Sequence, residues 1–248
     1  VRLATDGANV VISDICGPVE HNLIRPATPG DMEETVAAIA AAAPAAKVLA
    51  RKVDVRDAAG LTTLANDAVT AFGGIDIVVA NAGILNWGEV LDYTTEQFTA
   101  VIDTNLVGVF NTVKATVPHM IAAGKGGSII LVSSTAGLKG QPFTLGYTAA
   151  KHGVVGLCRG LANELGSHSI RVNSLHPSGI ATAMGEADGL MQIINKYAET
   201  LGPVFMNTLP VFMGEPKDTS NAVAFLASDE ASMITGLQMT VDMGATNR

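Results

Sequence analysis

Short apolar runs alternate strictly with longer amphipathic stretches along the whole chain, and this alternation restricts the fold more than any other feature. Runs rich in Val, Ile and Leu occupy residues 8–15, 47–55, 75–80, 127–133, 170–175 and 237–242. Helical spacing occupies residues 31–43, 57–72, 95–123, 144–166 and 216–228. Strands that are apolar along nearly their full length, with helices between them, belong in a parallel sheet covered on both faces. The expectation is a doubly wound α/β fold forming one domain over residues 1–248.

Two stretches lack a strong element pattern: 16–30, with Pro18, Pro26 and Pro29, and 176–210. Loops of that length in a compact domain are usually functional covers or disordered. The Ala-rich stretch 37–46 is an ordinary helix end stopped by Pro44. Apolar residues make up 48% of the chain, yet no run approaches the roughly 20 residues a bilayer crossing needs, and no basic leader precedes an apolar segment. A membrane partner is therefore not expected. A net charge of -8 without a basic stripe argues against nucleic acid. Cys16 and Cys158 make neither a disulfide framework nor a four-ligand metal site, which suggests free thiols in a reducing, cytoplasmic compartment and no metal.

Tyr147 and Lys151 stand four residues apart at the start of an expected helix, so both side chains share one face. There the ammonium charge is expected to lower the phenol pKa and fit it for proton transfer. Alone, such a pair is more often a solvated helix face. Ser134, thirteen residues before Tyr147, directly follows the strand 127–133, at the carboxyl end where open α/β sheets bind ligands.

Together with Asn81-Ala82-Gly83, Asn105 in the following helix, and Pro177-Ser-Gly-Ile180-Ala-Thr182, these residues resemble the classical short-chain dehydrogenase/reductase family over residues 3–244. The resemblance implies a Rossmann-type sheet and an NAD(P)-dependent interconversion of a secondary alcohol and its ketone. Tyr147 would exchange the alcohol proton, Lys151 would lower its pKa and hold the nicotinamide ribose, Ser134 would bond the substrate oxygen, and Asn105 would support Lys151 through a water. Asn81, Ala82 and Gly83 would line the cofactor, and Pro177, Ile180 and Thr182 would lie over the carboxamide. Asp54 and Val55 would touch the adenine, although Asp54 could also be a helix N-cap. Asp14, ending its strand with no Arg close behind, would accept the adenosine ribose hydroxyls and favour NAD over NADP. Ser178 stands where the family usually has glycine. His176 could be an additional acid but fits packing better.

The insertion 16–30 and the stretches 131–140, 149–157 and 173–184 resemble more narrowly the carveol-dehydrogenase-like, mycofactocin-coupled subfamily, in which the insertion would cover NAD and electrons would leave through an external carrier. The family's first strand and its Thr-Gly-x-x-x-Gly-x-Gly phosphate turn are not found, because residues 1–10 match the end of the first helix and the entry to the second strand. The expectation is an N-terminally truncated fold with first strand and glycine-rich loop absent, in which the functional protein carries the segment. Such a loss also leaves open a non-catalytic subunit or ligand-binding member, and a 3-oxoacyl thioester reductase using NADPH is a further alternative, against which Asp14 speaks. A hydrophobic alcohol would sit among Leu85, Trp87, Thr135, Ala136 and Phe143 beneath a covering segment at about 183–210. The family commonly forms homotetramers through its two long helices, where Val154 and Leu157 would lie in the seam or else in the subunit's own core.

Overall fold

The computed structural model describes residues 1–247. In chain order the elements are α1 (Arg2–Thr5), β1 (Val10–Asp14), α2 (Pro29–Ala42), β2 (Val48–Lys52), α3 (Ala58–Phe72), β3 (Ile77–Ala80), α4 (Thr95–Ile102), α5 (Gly108–Ala123), β4 (Gly127–Val132), α6 (Leu145–Leu165), β5 (Ile170–Pro177), α7 (Asp188–Lys196), α8 (Ala198–Leu201), α9 (Pro216–Ala227) and β6 (Gln238–Val241). All strand pairs are parallel. They form a two-stranded sheet, β1-β2, and a four-stranded sheet in the order β3-β4-β5-β6. The α/β architecture with flanking helices is as expected, but the strands divide between two sheets.

The expectation that the first strand is absent is corrected. Val10, Val11 and Ile12 give β1 the β-branched side chains that suit a pleated strand, and β1 pairs along its full length with β2, from Val10 opposite Val48 to Asp14 opposite Lys52. Matching this stretch to a later strand of the family pattern counted as missing an element that the chain supplies here.

Strand alternation builds the core. Ile129 and Leu131 point from β4 to one face, where Val109, Val113 and Met120 of α5 and Val154 and Cys158 of α6 bury them. Ile130 points to the other face, against Leu175, Ala222 and Leu226. All three β4 side chains are fully buried, each contributing about 1.5–3 kcal/mol relative to exposure. Val154 is completely buried in this core, and Leu157, partly buried, packs against it.

Helix ends follow local chemistry. Thr28 and Asp31 make a capping box for α2, and Asp57 caps α3 by accepting from the amides of Ala59 and Gly60. The single helix expected over 95–123 is interrupted by a π turn, Asp103–Val107, that carries Asn105. The stretch 176–210, expected to be irregular, contains α7 and α8. Among the described residues no helix is long and apolar enough to cross a membrane.

Candidate active site

The site forms where β4 ends. Ser133 donates its hydroxyl to the carbonyl of Lys151 at 2.9 Å, tying the strand end to α6. Ser134 opens a short 3-10 turn, Thr135–Gly137, and its Oγ accepts from the Ala136 amide at 3.2 Å. A longer contact, 3.5 Å, runs from this hydroxyl to the Pro177 carbonyl, so the proton of Ser134 is only weakly held. Gly137 presses on the α6 backbone: a Cβ there would lie 2.6 Å from the Lys151 carbonyl oxygen. No other residue type fits at that position without moving the turn.

Tyr147 and Lys151 project from the first two turns of α6. Lys151 is only 3% exposed. Its ammonium donates to the Val132 carbonyl at 2.8 Å and lies 5.4 Å from the centre of the Tyr147 ring. Burial pulls the lysine down to about 8. The phenol is pushed above its ordinary value by burial, with the Ser134 hydroxyl working the other way. The expected net lowering of the phenol is not seen, because the loss of water around the hydroxyl outweighs the influences that favour the phenolate.

Asn105 is fully buried in the π turn. Its Oδ1 accepts from the Ile84 amide at 2.8 Å and its Nδ2 donates to the Ile84 carbonyl at 2.9 Å. The side-chain amide therefore fixes the chain just after Asn81-Ala82-Gly83, with Gly83 lying against it.

The remaining residues expected at a cofactor surround the strand ends. Asp14 closes β1, and its Oδ1 accepts from the Cys16 amide at 2.7 Å. Asp54 does not cap α3, because Asp57 does; its carboxylate is gripped by the Arg56 guanidinium, which holds it below the usual range. Val55 packs beside Gly108 and accepts from Asn111 through its carbonyl. Asn81, just past β3, is exposed. Pro177 ends β5, Ile180 forms a bridge with Gly214, and Thr182 is exposed beyond it. These residues fit a dinucleotide on two counts. Asp14 uses one carboxylate oxygen locally and presents a second acceptor, and the buried Lys151 ammonium has three protons but only one protein acceptor among the described residues. Among the same residues no three His, Cys, Asp or Glu side chains converge to hold a metal.

Two parts of the chain pack against Tyr147. Leu190 and Ile194 of α7 pack with Leu85, Trp87 and Phe143, and Met184, Phe205 and Tyr147 border the same cluster. Thr135 and Ala136 are buried in the Ser134 turn and do not belong to this cluster. Phe143 stacks on Tyr197 at 5.3 Å, and Glu89 bonds both Lys196 Nζ and the Tyr197 hydroxyl, at 2.6 and 2.8 Å. Insertion 16–30 docks on the chain after Gly83. The Leu23 amide donates to the Leu85 carbonyl at 3.0 Å, and the buried Asn86 donates to the His21 carbonyl and accepts from the Tyr93 hydroxyl. Val19 reaches the cluster of Ile84, Val101 and Ala150 that abuts Tyr147, and Ile24 packs into the α7 cluster. Val19, Ile24 and Asn86 were not singled out by sequence; the apolar residues among the prolines of the insertion were the available signal.

A family model described as Enoyl-(Acyl carrier protein) reductase matches residues 2–246. A putative short-chain type dehydrogenase/reductase of Mycolicibacterium smegmatis is 49% identical over 254 residues, covering 99% of this chain and 90% of the relative. The chain belongs to the short-chain dehydrogenase/reductase family. Two solved family members share its shape. A short chain dehydrogenase from Mycobacterium paratuberculosis bound to NAD aligns with a TM-score of 0.95 at 42% identity, covering 100% of this chain and 92% of the other. Carveol dehydrogenase from Mycobacterium avium in complex with NAD aligns with a TM-score of 0.92 at 39% identity, covering 100% and 91%.

Proposed function

We infer that this family member is an NAD-dependent oxidoreductase that interconverts a hydrophobic secondary alcohol and its ketone. The observation that carries the reading is the placement of Tyr147: the Lys151 ammonium lies over its ring, the Ser134 hydroxyl opposes the rise that burial gives its phenol, and it borders the apolar cluster of Ile24, Met184 and α7. NAD, held by residues of this site, would supply the acceptor for hydride from the carbinol carbon in oxidation and the hydride donor in reduction. Asp14 and Lys151 are the residues that would hold its two riboses, and Asn81, Ala82, Gly83, Pro177, Ile180 and Thr182 would line its path. Ser134 orients the substrate oxygen through its weakly held hydroxyl proton. Tyr147 takes the alcohol proton in one direction and gives it back in the other, and the Lys151 ammonium beside it stabilises the phenolate form. The apolar walls exclude water and select an uncharged ring or chain over a charged substrate.

Substitution of Tyr147 by Phe tests this. Turnover of a secondary alcohol such as carveol with NAD is expected to fall by about 10²–10⁴-fold, while NAD affinity, read by fluorescence titration, stays within a few fold. Parallel loss of both would overturn the role given to the phenol. Comparing NADH with NADPH tests the choice of cofactor, and a preference for NADPH with a 3-oxoacyl thioester would replace this reading by a thioester reductase.

The same reading extends to the organisation of the protein. The chain acts as one dinucleotide-binding and catalytic domain with 183–210 as its substrate cover. The docked insertion supports an NAD that stays bound and passes its electrons to an external carrier. Exposed Phe98, Val107, Phe110 and Leu145 support assembly as a homotetramer, and two free cysteines support a cytoplasmic setting.

A further inference from the structure

His176 is the one fully buried histidine next to the site, and the mechanism above leaves it unused. It stands on β5 opposite Thr240 of β6. Its Nδ1 lies 2.7 Å from the Ser134 carbonyl oxygen, and its Nε2 lies 2.9 Å from Ser174 Oγ. A carbonyl oxygen only accepts, so Nδ1 carries the proton and donates to it. Nε2 is then a bare acceptor for the Ser174 hydroxyl, whose other acceptor, the Leu237 carbonyl, is farther away at 3.4 Å, and the ring is neutral with its proton fixed on Nδ1 by the Ser134 carbonyl. The Ser134 carbonyl also accepts from the Gly137 amide at 2.9 Å. Its direction is therefore set jointly by the imidazole and by the turn. Rotating that peptide moves the neighbouring Cα and with it the Ser134 hydroxyl.

We infer that His176 is a positioning residue that aims the Ser134 hydroxyl at the substrate oxygen by holding the Ser134 carbonyl through Nδ1–H. This inference rests on the proposed dehydrogenase reading but adds to it a residue that touches neither substrate nor cofactor. The ring is a strut between β5 and the strand-end turn and is unable to act as an acid, since its only proton is committed to a buried carbonyl.

Long-range ¹H–¹⁵N NMR of the wild-type protein tests the tautomer without any turnover. Protonation at Nδ1 is expected, and an Nε2–H tautomer or an imidazolium would overturn the inference. Kinetics with NAD and carveol, or the most rapidly oxidised member of a secondary-alcohol panel, test the consequence. His176→Leu is expected to lower kcat by about tenfold or more with NAD affinity unchanged, whereas His176→Asn, whose amide N–H falls near the position of Nδ1, retains kcat within about threefold. In a Ser134→Ala background His176→Leu should cost nothing further in kcat, because its effect passes through the lost hydroxyl. Additive losses, or equal losses for Leu and Asn, would refute the positioning role. If the Leu variant does not fold, His176→Gln against His176→Asn makes the same comparison, since Gln reaches toward Ser174 rather than Ser134, and the Asn variant must then be the faster. A wild-type protein with no turnover of any alcohol would count against the proposed function, while the NMR result would still judge the strut.

Discussion

Replacing Gly137 by Ala would strike the joint between the Ser134 turn and α6. The new Cβ would lie 2.6 Å from the Lys151 carbonyl oxygen and 3.0 Å from its carbon, and also against Ser133 Oγ. Reaching an ordinary contact of about 3.4 Å requires the turn to retreat by roughly 0.8 Å, because a helix backbone does not yield as a side chain would. The Ser133 hydrogen bond to that same carbonyl, now 2.9 Å, would then stretch beyond hydrogen-bonding range. Overpacking costs about 1–3 kcal/mol and a lost buried hydrogen bond about 1 kcal/mol more, so destabilisation of roughly 2–4 kcal/mol is expected. For a chain of this length that is a fall in Tm of about 5–15 °C. Ser134 moves with the turn, and kcat should drop by about tenfold to a hundredfold. Thermal unfolding and steady-state alcohol oxidation read the two effects. Gly160→Ala, in the same helix with nothing within 4 Å of its Cβ, is the control and should be neutral or stabilising by up to about 1 kcal/mol. A Gly137→Ala protein with wild-type Tm and wild-type kcat would refute the claim that this contact sets the site.

Lys151 makes stability depend on pH in a definite direction. Its folded pKa of about 8 lies below the 10.5 of the unfolded chain, so between these values the unfolded state binds more protons and stability rises with pH. The rise should total on the order of 3 kcal/mol between pH 8 and 10.5, and denaturant unfolding should show it flattened in Lys151→Met; an unchanged profile would contradict the burial argument. Ile24→Ala should open space in the apolar cluster beside Tyr147, raising kcat/KM for bulky over small secondary alcohols by about tenfold with NAD affinity unchanged. An unaltered preference would remove Ile24 from the substrate wall.

What was legible in the sequence is what local spacing encodes. Ile129, Ile130 and Leu131 declare a strand buried on both faces, and Ser134, Tyr147 and Lys151 reveal themselves by their intervals around one strand and one helix. The direction of the phenol's shift was not legible, because a separation of four residues says that two groups are neighbours and not how deeply both are buried. The π turn at Asn105 depends on a pair of bonds to Ile84, 21 residues away, that no periodicity carries. Helix α7 is nine residues long and follows Ala187, which offers no side-chain cap, so it lacks the usual start signal. The insertion's role depends on Leu23 meeting the backbone of Leu85, a contact invisible until the chain is folded. First place in the strand order was misread for a related reason: a family pattern fixes register by analogy, whereas pairing between Val10 and Val48 is a property of this chain.

The meeting of insertion and α7 over Tyr147 bears on how fast the enzyme can run. If these segments cover the substrate as proposed, a reactant must displace packed side chains from two parts of the chain that are far apart in sequence, and product must do so again to leave. Hydride transfer in so closed a chamber can be quick while turnover waits on opening. On that reading the ceiling on turnover would be set by Glu89, Tyr197 and Leu23, whose contacts tie these segments down and take no part in the bond-making step.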